Sequence, residues 1–135
     1  MSDELPLFQV RGSALDAIYG LGSEEVFEAE ARKVVEKKFG FKLEKWREWD
    51  GEGYVFNIPR YIEVYAAASE GKVVLMEIEP KATIGVVYVF KKKAEFYEKK
   101  TGVKPSRLIV ASPFIDDDAR ELASALEIEI YDFYS

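Results

Sequence analysis

The sequence predicts an α/β domain, a mixed β-sheet flanked by helices, with elements in the order helix, three strands, helix, strand, helix, strand. Three observations carry this. Val73–Met76 is an unbroken apolar run of both parities, the pattern of a strand buried on both faces. Before it, period-two alternation is broken by the turn sequences Asp50-Gly51-Glu52-Gly53 and Ser69-Glu70-Gly71-Lys72, so the strands meander. After it, helical and strand patterns alternate, which makes a parallel βαβ closure natural.

Residues 1–22 read as a glycine-punctuated N-terminal arm and 23–135 as one domain. Ser23 is an N-cap, with Glu24 and Glu25 complementing the dipole of a helix whose apolar positions are Phe27, Ala31, Val34, Val35 and Phe39. Gly40 closes it. From Phe41 the period shortens to two and predicts a strand. Tyr54–Phe56 resume one after the turn, Pro59 interrupts it, and Tyr61–Ala68 form the next. Ile84–Phe90 have strand propensity, but Phe90, Ala94 and Tyr97 continue at helical spacing to Thr101-Gly102, so the spacing predicts a helix over about 84–100. Arg107–Ser112 is a short buried strand. Asp116 or Asp117 caps a helix through Leu126 with Leu122 and Ala125 inward, and Glu127–Tyr131 alternate as a last strand.

Composition excludes much chemistry. A chain of 135 residues, 48% hydrophobic, suits one domain with a real core. It has no cysteine and no histidine. Disulfides, zinc–thiolate sites, thiol nucleophiles and histidine-based catalysis are therefore out of reach, and a carboxylate site would favour magnesium or manganese. No apolar run approaches the ~20 residues that span a bilayer, and no signal-peptide pattern opens the chain, so a cytoplasmic protein without membrane contact is expected. Many Glu and Lys with no Cys or His suit a heat-adapted source. The net charge of −6 is local: residues 116–135 hold Arg120 against seven acids, while the preceding residues hold 18 basic and 18 acidic side chains. A neutral body carries no general footprint for nucleic acid.

The sharpest chemical feature is Glu77-Ile78-Glu79-Pro80-Lys81 at the end of the apolar strand. Residues two apart on a strand share a face and lie about 7 Å apart, so Glu77 and Glu79 project together. Adjacent anions repel unless a cation or a proton lies between them. Spacing alone fits a solvated strand end equally well. On the preceding strand Glu63 and Tyr65 share a face and could approach this pair, though a structural glutamate facing a lysine explains Glu63 as well. Lys91, Lys92 and Lys99, with Lys104 beyond, read first as a solvated helix face interleaved with glutamates, and second as a phosphate-contacting stripe.

The element order with Gly71–Glu79 resembles the PD-(D/E)XK nuclease superfamily, which shares a core with Holliday-junction resolvases and many restriction endonucleases. Leu15–Gly20, Ser23–Phe27, Gly53–Phe56, Val87–Phe90, Lys93–Glu98 and Arg107–Phe114 look like a branch of that superfamily found in thermophilic archaea. The resemblance covers residues 14–131. It implies a site in which an aspartate on the second strand and a Glu-x-Lys on the third bind divalent metal and activate water. Glu77 matches the glutamate; Tyr65 falls at the aspartate position and Glu79 at the lysine position. The resemblance thus implies a degenerate nuclease that serves as a structural or interaction module, without cofactor.

An alternative is an active magnesium- or manganese-dependent nuclease whose metal is held by Glu63, Glu77 and Glu79, with Glu28 as the helix glutamate of resolvase-like members and Lys81 as a displaced cation. A third reading is DNA binding without cleavage. Resolvase relatives are commonly dimeric, so a homodimer is expected, with Trp46 and Trp49 able to serve either its interface or the core.

Overall fold

The computed structural model describes residues 24–134. The N-terminal arm and the Ser23 cap lie outside the described residues. The elements run α1 (Glu24–Phe39), β1 (Glu44–Asp50), β2 (Arg60–Ser69), β3 (Lys72–Ile78), α2 (Ile84–Thr101), β4 (Arg107–Ser112), α3 (Asp117–Ala125) and β5 (Glu129–Asp132). The five strands form one sheet in sequence order, with β1–β2 and β2–β3 antiparallel and β3–β4 and β4–β5 parallel. This is the mixed α/β sheet expected, and the apolar run is its middle strand.

Strand parity divides the core. Tyr65, Ala67, Val74, Met76, Ile78, Ile109 and Ala111 face α1, where they meet Phe27, Ala31 and Val35. Val64, Leu75 and Val110 face the other way, against Val87, Phe90, Ala94 and Tyr97 of α2 and Ala119 and Ala123 of α3. Leu75 and Met76 are both fully buried, on opposite faces. Truncating either to alanine removes packing worth about 2–5 kcal/mol.

Local chemistry explains the boundaries. Gly40, at φ 76°, donates to Glu36 O at 2.8 Å and ends α1. Two α1 side chains then fix the entry to β1: Glu36 accepts from Leu43 N at 2.8 Å and Arg32 donates to Leu43 O. For α2, Thr83 accepts from Val86 N at 3.2 Å, and Gly102, at φ 76°, donates to Glu98 O. With the valine-rich start capped as a helix, its apolar residues fall into a buried stripe Val87, Phe90, Ala94 and Tyr97.

Three expectations are corrected. Tyr54–Phe56 form a turn, not a strand, because the buried Asp50 carboxylate accepts from Tyr54 N at 3.0 Å and Val55 N at 2.9 Å. Those N–H groups are thereby withdrawn from any ladder. In α3 the buried residues are Ala119 and Ala123, while Leu122 is half-buried and Ala125 exposed. The helix is rotated so that its smallest side chains let it approach the sheet. The last strand begins at Glu129, because Glu127 takes φ 60° and turns the chain first. Among the described residues, no helix is long and apolar enough to cross a membrane.

Candidate functional site

Glu77 is the last polar residue inside β3, and Glu79 lies one step beyond the strand, its N–H donating to Ala111 O at 3.1 Å. Glu77 shares the α2 face with Leu75. There it meets Lys93: Nζ donates to Glu77 Oε1 at 3.0 Å and to the Glu63 carbonyl oxygen at 2.9 Å. Each side chain of the pair is 13% exposed. An ion pair so removed from water holds its geometry, since breaking it strands a charge in a medium that solvates it poorly.

Glu79 is pushed up to about 8, first by burial, then by its hydrogen bond with Glu77 and by Glu77's charge, with Lys93 opposing. At neutral pH Glu79 therefore carries the proton that the two-carboxylate corner requires. Charge is balanced from within: the ammonium offsets Glu77 and the proton neutralises Glu79. The corner opens into a hollow of about 230 Å³ lined by Phe56, Glu77, Glu79, Gly85, Val86, Val89 and Lys93.

Of the residues expected here, Glu77 and Glu79 line one hollow, and Glu79 also lines a second one with Glu28 and Glu63. Tyr65 pairs with Met76 in the β2–β3 ladder, and Tyr65 and Met76 pack on the α1 side. Two residues along β2, Glu63 sits on the same side, its carboxylate held by Arg47 at 3.1 Å and Lys45 at 3.6 Å. Glu28 is bound to Lys45 at 3.2 Å and hydrogen-bonds the Tyr65 phenol, which burial raises above its ordinary value. Glu28 and Glu63 thus flank Lys45 in a second hollow of about 240 Å³, which Glu79 lines with them. Pleat parity puts Glu63 across the sheet from Glu77. Lys81 is 60% exposed and faces Asp116 at 3.7 Å.

Lys93 was missed because it is 16 residues from Glu77 and sits in the run Lys91-Lys92-Lys93. A signal was present. Val86, Val89, Lys93 and Phe96 form the row beside the buried stripe, and a lysine in an apolar row is placed to reach inward. Of the lysines expected to contact phosphate, Lys92 and Lys99 lie over the Tyr54 ring at 4.6 and 5.0 Å. Lys91 is half-buried on α2, and Lys104 is exposed beyond its C-terminus.

A helix-flanked mixed sheet with an acidic corner at the end of its central strand defines an α/β scaffold. A model of the PD-(D/E)XK nuclease superfamily matches residues 60–129, and the chain belongs to that superfamily. A model described as a protein of unknown function (DUF3782) matches residues 1–59. No curated protein matches the chain significantly. Two solved structures share its fold. A repair endonuclease from Pyrococcus abyssi aligns with TM-score 0.56 and 21% identity, over 82% of this chain and 46% of that one. EndoMS in its apo form aligns with TM-score 0.58 and 21% identity, over 82% and 45%. The chain spans less than half the length of either.

A divalent metal between Glu77 and Glu79 would have to displace the Lys93 ammonium and the Glu79 proton. Lys93 is bound to Glu77, Glu79 favours its proton, and Tyr65 packs on the α1 side. Among the described residues no three carboxylates converge to hold an ion.

Proposed function

We propose that this chain is a catalytically degenerate PD-(D/E)XK protein acting as an interaction module in nucleic-acid metabolism. One observation carries the reading: the Glu77 carboxylate is engaged by Lys93 at 3.0 Å beside a Glu79 raised to about 8. A magnesium or manganese ion there would have to displace both an ammonium and a proton. The test is incubation with single-stranded, duplex and branched DNA plus manganese, alongside Glu77→Gln. No metal-dependent product is expected; a product that Glu77→Gln abolishes would overturn the reading.

Lys93 also favours a second reading, an active metal-dependent nuclease in which the α2 ammonium replaces the lysine of Glu-x-Lys. Under it, wild-type protein cleaves in manganese and Lys93→Ala does not. A cytoplasmic homodimer belongs to the first reading, and light scattering of the full chain tests the dimer.

A further inference from the structure

The β1–β2 turn gathers aromatic rings and cations that the acidic corner does not use. Trp49 and Tyr61 face each other across the ladder, with ring centroids 5.0 Å apart at 66°. They are 48% and 49% exposed. Arg47 lies 3.6 Å over Tyr61 and Arg60 4.3 Å over Phe56. Beside the turn, a hollow of about 390 Å³ is lined by Trp49, Tyr54, Phe96, Lys99 and Lys100 together with Asp50, whose carboxylate is held by the turn's N–H groups, and Glu52. Arg60, Lys92, Lys99 and Lys100 have no ion-pair partner among the described residues.

We propose that this surface binds single-stranded nucleic acid. Bases stack on Trp49 and Tyr61 and enter the hollow, and phosphates meet Arg60, Lys99 and Lys100. Half-exposed rings beside a hollow that Lys99 and Lys100 line match a strand that offers π-faces and negative charge together. A duplex hides its base faces within its own stack, so rings on a turn select the unpaired strand. The net charge of −6 does not oppose this, because the acidic excess after residue 115 builds α3 and β5, and β5 is the edge of the sheet opposite β1.

The inference rests on the reading of the chain as a nucleic-acid interaction module and names its partner and surface. Fluorescence anisotropy of the full chain with a labelled oligothymidine of about 15 nucleotides, and with a duplex of equal length, tests it. The single strand should bind at least about tenfold more tightly than the duplex and weaken steeply between about 50 and 200 mM salt. Trp49→Ala should weaken binding about five- to a hundredfold, and Trp49→Phe less than about threefold. The double variant Lys99→Glu, Lys100→Glu should weaken it and flatten the salt dependence, while Lys33→Glu, on the exposed face of α1, leaves it unchanged. Absence of binding at low salt, equal binding of the duplex, or an affinity that Trp49→Ala leaves intact would overturn the inference. A denaturing gel of the same complex with manganese separates the two claims. Cleaved oligonucleotide sinks the non-hydrolytic reading and leaves binding standing; lack of binding does the reverse.

Discussion

Lys93 and Glu77 form a 3.0 Å ion pair between the second helix and the end of the central strand, each side chain all but withdrawn from solvent. The ammonium also binds the Glu63 carbonyl, so one side chain ties α2 to β2 and β3 together. Lys93→Met leaves Glu77 without its counter-charge and should cost about 2–3 kcal/mol, less than a fully buried pair because both side chains keep 13% exposure. Urea denaturation measures this. Adding Glu77→Gln should recover a large part of the loss, since the coupling between the two is what the cycle isolates.

Glu79 gives the pH dependence. Its carboxyl is raised from 4.5 to about 8 in the fold, so the folded state binds a proton that the unfolded chain releases. The contribution is full below pH 4.5 and is lost as pH rises through 8. Urea midpoints should therefore fall across that window, and Glu79→Gln, which keeps the uncharged form at every pH, should flatten the fall. A wild-type profile that rises across the window would refute this assignment.

Asp50 holds the β1–β2 turn by accepting from two consecutive backbone N–H groups while itself 1% exposed. Asp50→Ala strands both donors and should cost about 2–4 kcal/mol, read as a lowered Tm; Asp50→Asn, which keeps one acceptor, should cost about half as much.

Much of the fold was legible in the sequence because its elements are set by period and punctuation. The middle strand showed as apolar residues of both parities, and α2 as a stripe ended by Gly102. Tyr54–Phe56 misled because β-propensity cannot report that a buried carboxylate four residues before Tyr54 has taken the N–H groups of Tyr54 and Val55. The site was half legible. The pairing of Glu77 with Glu79 follows from pleat parity, but which side of the sheet Glu63 and Tyr65 occupy depends on cross-strand register. Lys93 comes from another element, and only its place beside the apolar stripe hinted at an inward reach.

The central claim is that an ammonium and a proton compensate the carboxylates of this corner, in place of a metal. Manganese anomalous scattering from crystals soaked near neutral pH tests it most directly. The expected map has no peak beside Glu77, with the Lys93 ammonium still bound to it. A peak coordinated by Glu77 and Glu79, with Lys93 displaced, would contradict the account.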